Sequence, residues 1–219
     1  LPPLERVGQY RLVRLIGEGG MGAVYEAEQD NPRRSVAVKV LRAGLFSSEA
    51  VRRFEREANV LGRLHHHGIA QVYEAGSART AIGSVPFFAM ELVRGLSLSA
   101  YARSRDLSVR AKLELIARIC DAVDHAHKQG IIHRDLKPAN IMVEDEPDPT
   151  EDTQQASGPQ PKILDFGVAR AITPDHHVTL QTSAGQIVGT LAYMSPEQVR
   201  GDPTAIDART DVYALGVVA

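Results

Sequence analysis

The strongest constraint on this chain is the run His133-Arg134-Asp135-Leu136-Lys137-Pro138-Ala139-Asn140, followed by Asp165-Phe166-Gly167. It sets a carboxylate, an ammonium and an amide within one short loop, and a second carboxylate one strand pair later. Whatever fold forms must bring both carboxylates within reach of one ligand. Hard oxygen donors beside a point cation are the equipment for holding a metal-bound triphosphate next to a hydroxyl. The plain alternative is a solvated polar loop, and eight fixed positions plus three more argue against it.

Composition narrows the field. The 219 residues, 43% hydrophobic and 24% charged, suit a soluble globular body of one or two lobes. Formal net charge is -2, yet the run Glu144–Asp152 holds six acids and no bases, so elsewhere 25 basic residues face 21 acidic ones. That mildly basic body suits phosphate ligands. No dense Lys/Arg run occurs and aromatics are only 5%, which leaves a nucleic-acid partner without support. Cys120 is the single cysteine; it excludes an internal disulfide and points to a reducing, cytoplasmic setting. It shares a helical-period stripe with Leu113, Ile116, Ala117 and Val123, where a core thiol is expected. No stretch reaches the roughly 18 apolar residues that span a bilayer. Leu1-Pro2-Pro3 carries no initiator Met and no signal pattern, and Asp211–Ala219 is an apolar run without a stop signal. Both ends are expected to be cuts in a longer protein.

The first ninety residues predict strands. Tyr10–Ile16 and Ala23–Glu28 flank Gly17-Glu18-Gly19-Gly20-Met21-Gly22, whose glycines permit a tight turn and close approach to phosphate oxygens. A lone GxGxxG is weak evidence. In a dinucleotide fold the glycines open a helix; here they open Ala23-Val24-Tyr25, a strand-forming run. No GxxxxGK[ST] occurs, which excludes a P-loop at motif level. Val36–Leu41 alternates, with Val36, Val38 and Val40 on one face and Ala37, Lys39 and Leu41 on the other. A lysine on an apolar face needs partners for its ammonium. Of only five lysines beside 20 arginines, two are Lys39 and Lys137. A compact point charge is wanted at both places. Ser47 or Ser48 is expected to cap a helix with the stripe Val51, Phe54, Ala58, Leu61, Leu64, and Glu57 on that side is the carboxylate available to Lys39. Val85–Leu92 is a further apolar strand, and Ser108–Gln129 a long helix closed by Gly130.

From about Tyr10 to Ala219, these motifs make the chain resemble the eukaryotic-like serine/threonine protein kinases of bacteria. The resemblance implies an α+β, bilobal protein-kinase-like fold: a small β-rich N-lobe with one regulatory helix over residues 10–93, and a mostly helical C-lobe, incomplete here, over 94–219. It implies ATP and Mg2+ as cofactors, with Mn2+ as a possible substitute, and protein substrates bearing Ser or Thr. By position, Asp135 orients the substrate hydroxyl and accepts its proton, Lys137 neutralises the transferring phosphoryl, and Asn140 and Asp165 bind magnesium. Lys39 holds the α- and β-phosphates and Glu57 holds Lys39. The glycine lid contributes Gly17, Gly19 and Gly22. Met90 backs the adenine pocket, the backbones of Glu91 and Val93 meet the adenine edge, and Ile16, Val24, Ala37 and Met142 sandwich the ring. Lys137, two residues after Asp135, is the serine/threonine pattern, and Thr190 is implied to meet the catalytic loop. Arg134 before Asp135 implies activation by phosphate, for which Thr179, Thr182 and Ser183 are the candidates, with a second copy of the chain as one further substrate, phosphorylated in trans.

Four departures stand out. Glu144–Pro161, rich in Asp, Glu, Pro, Gln and Ser, lengthens the Asp135–Asp165 spacing and is expected to be a disordered acidic insertion. His65-His66-His67-Gly68 replaces the usual His-Pro-Asn, which opens a minor alternative of a three-histidine metal site. Ser195 replaces the commoner Ala before Pro196-Glu197. The chain also stops at the start of the large lobe's central helix, without the basic partner expected for Glu197. Two alternatives of another class remain: a regulatory pseudokinase or nucleotide-binding module, and an inactive fragment of a longer receptor-type kinase. A small-molecule kinase is disfavoured by the peptide-receiving segment Gly189–Glu197. Relatives of this kind often anchor in a membrane, which would make this the cytoplasmic part of its parent.

Overall fold

Alternation writes the first sheet. A computed structural model describes residues 5–19, 22–42, 60–80, 83–145, 158–166, 191–202 and 204–219. Strands β1 (Arg6–Val7), β2 (Tyr10–Gly19), β3 (Gly22–Gln29), β4 (Arg34–Leu41), β5 (Val72–Thr80) and β6 (Gly83–Glu91) form one antiparallel sheet in the order β1-β2-β3-β4-β6-β5. Val36, Val38 and Val40 point to the same side and join Val7, Tyr10, Ala27, Val85, Phe87 and Ala89 in one core. Each such buried valine favours folding by about 1.5–3 kcal/mol. Tyr10 meets Phe87 edge-on with ring centroids 5.9 Å apart. Its hydroxyl donates to Glu74 at 2.8 Å. Burial, and then the Glu74 carboxylate, pushes the phenol pKa well above its ordinary value.

The described residues divide into two compact units: one holds this sheet, with 60–65 and Gln71–Leu92, and the other holds His66–Ala70, the described part of 93–166 and 191–219. In the second unit β7 (Leu96–Ser97), β8 (Ile141–Glu144) and β9 (Gln160–Ile163) form a small sheet in that order. Residues 68–70 extend it: Ile163 N–H donates to Gly68 O and Ala70 N–H to Ile163 O, both at 2.9 Å. Helices are α1 (Leu98–Ser104), α2 (Val109–Lys128), α3 (Pro196–Arg200) and α4 (Ala208–Val218), with a 3-10 turn at Pro138–Asn140.

Helix α2 starts where its cap dictates. Ser108 Oγ accepts from Ala111 N–H at 3.2 Å, a bond of the kind worth about 1 kcal/mol. Its end falls at Gln129, and Gly130 takes φ 74°, the left-handed closure open to glycine. The buried face is Leu115, Ile119, Ala122, Val123 and Ala126, and the helix packs on β9. This corrects the expected stripe: Leu113 is 62% exposed and Cys120 is exposed, so the thiol is no core group. Two overlapping stripes at helical spacing exist on α2, and its packing against β9 and α4 decides between them.

The acidic excursion is also corrected at its edges. Glu144 pairs with Gln160 and Val143 with Pro161, so both ends of the expected insertion are strand. Pro161 is tolerated because the outer side of β9 is paired at Ile163 and not at Pro161. Residues 146–157 lie outside the described residues.

Candidate active site

Cross-strand register gathers the first set of expected residues. In an antiparallel sheet, directly opposite residues point to the same face. Gly17 lies opposite Val24, Val24 opposite Lys39, and Lys39 opposite Phe88. On neighbouring rungs, Ala37 lies opposite Met90, Gly22 opposite Leu41, and Gly19 opposite Gly22. Gly17, Gly19, Gly22, Val24, Ala37, Lys39 and Met90 therefore share one face. It is the side away from the valine core. The glycines leave backbone there without side chains, and at Gly22 this is obligatory: a Cβ would lie 2.1 Å from the Val40 carbonyl oxygen. Lys39 Nζ stands 5.5 Å from the centre of the Phe88 ring, a cation over a π face. Ile16 sits at a register shift between Leu15 and Gly17 and is 40% exposed. Such a bulge re-aims a side chain. Glu91 closes β6 with its N–H committed to the Gln71 carbonyl at 2.8 Å, so any ligand contact from its backbone falls to the carbonyl.

The second unit builds the expected catalytic loop, residues 133–140, and side chains from distant elements hold its peptide groups. Asp211, on α4 and fully buried, accepts from the N–H groups of His133 at 2.8 Å and Arg134 at 2.7 Å. His127 Nε2 donates to the same carboxylate at 2.7 Å. Gln198 Nε2 donates to the Arg134 carbonyl at 2.6 Å. Asp135 N–H donates to His133 Nδ1 at 3.2 Å, and the Asp135 carbonyl accepts from Asn140 Nδ2 at 2.7 Å. Because Nδ1 of His133 accepts, its proton is on Nε2, which donates to Leu164 O at 2.8 Å. Leu164 N–H donates to Asn140 O at 2.8 Å, so the residue before Asp165 is tied to both ends of the loop. Phe166 meets the His133 ring edge-on at 4.7 Å.

The functional groups converge on Asp135. Lys137 Nζ lies 2.9 Å from its Oδ2, and Asn140 Nδ2 donates to the same oxygen at 3.0 Å. Asn140 spends its NH2 on Asp135, which leaves its amide oxygen as the atom a cation would use. Arg134 and Asp165 both adopt left-handed backbone, φ 69° and 59°. For non-glycine residues such geometry costs about 1–3 kcal/mol and collects at functional sites. Met142 is in β8, paired with Ser97 and Lys162. Val93 is half-buried just past β6. Glu57, Thr190, Thr179, Thr182 and Ser183 lie outside the described residues.

Sequence reasoning missed Asp211 and Gln198 as holders of this loop. Nothing local to either marks it; only folding brings them beside residues 133 and 134. Around them, Thr210 Oγ1 donates to Glu197 at 2.8 Å. The Glu197 carboxyl is held below the usual range by its own N–H and then by that hydroxyl. Among the described residues, Thr210 thus stands where a basic partner was expected.

The histidine loop reaches α2. His66, His67 and Asp121 offer ligand atoms within 4.8 Å of one another, an acidic neighbour that sequence spacing did not show. The bonding, however, is that of a latch. Gly68 N–H donates to His66 Nδ1 at 3.1 Å, which puts the ring proton on Nε2, facing Asp121 at 3.2 Å. The His66 and His67 rings stack at 4.2 Å, so their lone pairs run side by side instead of converging. Desolvation, and then the nearby His67 and His125, hold the His66 pKa below its ordinary value.

Known proteins are similar to this chain. The protein kinase domain family matches residues 10–219. Serine/threonine-protein kinase PknB of Mycobacterium tuberculosis is 41% identical over 99% of this chain, which spans 32% of that protein. Serine/threonine-protein kinase Pkn1 of Myxococcus xanthus is 40% identical over 98% of this chain and 28% of its own length. The chain therefore spans about a third of the length of these curated relatives. The crystal structure of the M. tuberculosis PknI kinase domain superposes with TM-score 0.68 at 28% identity, covering 97% of this chain and 71% of that one. No described helix is long and apolar enough to cross a membrane.

Proposed function

The chain belongs to the protein kinase domain family, and from that premise we propose that it transfers the γ-phosphate of ATP to serine and threonine hydroxyls of proteins. The observation that carries this reading is the Asp135 carboxylate, gripped by Lys137 and Asn140 on a loop whose peptide groups are themselves held. Asp135 orients the acceptor hydroxyl and takes its proton. Lys137 neutralises charge on the transferring group. The Asn140 amide oxygen and the Asp165 carboxylate are hard donors suited to Mg2+, with Mn2+ as substitute. When bound, the cation neutralises phosphate oxygens. Lys39, on the glycine face of the sheet, holds the α- and β-phosphates, with Glu57 as its carboxylate. Gly17, Gly19 and Gly22 let backbone approach the phosphates. Ile16, Val24, Ala37, Met90, Glu91, Val93 and Met142 take the adenine. The protein supplies position and charge, with little covalent chemistry.

Lys137 and Thr190 favour serine and threonine over tyrosine, in agreement with the names of the relatives. The cytoplasm supplies ATP and keeps Cys120 reduced, and this reading places the chain there. Self-activation belongs to the same proposal: phosphate on Thr179, Thr182 or Ser183 would pair with Arg134. Mapping phosphosites after incubation with Mg-ATP tests it, and full activity with all three unmodified contradicts it. For the main reading, the intact protein is given labelled ATP and a generic basic protein. Label on serine and threonine, abolished by a metal chelator, is expected; nucleotide binding without transfer would point instead to a regulatory pseudokinase.

A further inference from the structure

We propose that Gln198 is a positioning residue for the phosphoryl transfer, holding the Arg134 peptide so that Asp135 is presented in its reactive orientation. The inference rests on the kinase reading above. Arg134 is left-handed at φ 69°, and Asp135 follows it directly. The direction of Asp135 is therefore set by a backbone conformation that a non-glycine residue does not choose unaided. Two side chains grip that residue from opposite ends. Asp211 takes its N–H at 2.7 Å, and Gln198 Nε2 supplies a donor to its carbonyl at 2.6 Å.

Both ends of the Gln198 carboxamide are engaged. Its Oε1 accepts from the Ser195 N–H at 3.0 Å, the return half of a capping box at the start of α3. Its Nε2 reaches across 64 residues of sequence to the catalytic loop. One planar group thus ties the first turn of α3 to the residue before Asp135. A carboxylate of the same length would lack the donor, and an apolar chain would lack both. Ser195 is fully buried, and its hydroxyl lies 3.5 Å from that of Thr210, the residue before Asp211. The two grips on Arg134 are therefore joined behind the loop.

The two roles of Gln198 separate cleanly. Gln198→Glu keeps the capping acceptor, since glutamate is a natural residue at that place of a capping box. It replaces the donor with a carboxylate oxygen facing the Arg134 carbonyl. In the intact protein, turnover per nucleotide-binding site should fall about 10- to 100-fold, the usual cost of a small misplacement of a reacting group. The KM for ATP should stay within about threefold, because the change acts on the transfer step. Gln198→Met, which keeps length and loses both bonds, should lose turnover to a similar degree and also melt earlier; it carries the test if the glutamate variant does not fold. Turnover per site within about twofold of wild type in either folded variant overturns the assignment. Equal losses of turnover and nucleotide affinity in both also overturn it, since they mark general damage. A wild-type protein that binds ATP yet transfers nothing overturns the kinase reading itself, and the role of Gln198 with it.

Discussion

The glycine hairpin of β2 and β3 and the loop of residues 133–140, the proposed phosphate lid and catalytic loop, hold their backbones by opposite means. In the hairpin the ladder does the holding: each strand residue is fixed by its neighbour across the sheet, and glycine simply removes obstruction. In the catalytic loop no ladder exists. Its peptide groups are held one by one, by Asp211, Gln198, Asn140 and the His133 ring. Ladder-held backbone is robust to most single side-chain changes, whereas side-chain-held backbone depends on a few named residues far away in sequence.

That contrast is sharpest at Asp211. Asp211→Ala removes the acceptor of three N–H donors, two of them backbone, one buried and one part-buried. With about 1–3 kcal/mol per orphaned donor, the second unit should lose about 3–5 kcal/mol by urea unfolding. A loss below about 1 kcal/mol would mean that the loop holds itself. In the hairpin the comparable weak point is steric. Gly22→Ala sets a Cβ against the Val40 carbonyl and should cost about 1–3 kcal/mol by the same measurement, while a change at a neighbouring non-glycine position such as Ala23→Ser should cost far less. Equal costs at both positions would break the ladder account.

The histidine loop lies between these extremes, with one side chain on one peptide group. Since the fold favours neutral His66, the unfolded chain takes up the proton first as pH falls below about 6.5. The associated stability is complete above that pH and is lost as pH drops through the lower folded-state value. The melting temperature should therefore decline from pH 7.5 to 5.5, and His66→Asn, which can still accept from Gly68, should flatten part of that slope. His67, His125 and Asp121 are the charged or titratable groups that face the His66 ring. An unchanged slope in the variant would remove His66 from the explanation.

The same contrast explains what the sequence made legible. Period-2 alternation around Val36–Leu41 foretold which residues share a face, because a ladder converts local pattern directly into geometry. Asp135, Lys137, Asn140 and Asp165 were legible as a motif, and folding ties Leu164, next to Asp165, to that loop. Asp211 and Gln198 were not legible as partners of the loop, since their bonds cross 77 and 64 residues. Cys120 was misplaced for a related reason: α2 carries two overlapping apolar stripes, and its tertiary contacts with β9 and α4 choose one. Glu144 and Pro161 were read from composition as excursion, although their backbones pair in a ladder that composition does not encode.

The central claim is that Asp135 is the carboxylate around which the second unit is organised for transfer. The most direct test is phosphate transfer from ATP by Asp135→Asn against wild type, in the intact protein, with nucleotide affinity measured in parallel. The account predicts a loss of about 10²-fold or more in turnover with nucleotide affinity retained. Equal turnover in the two proteins would contradict it.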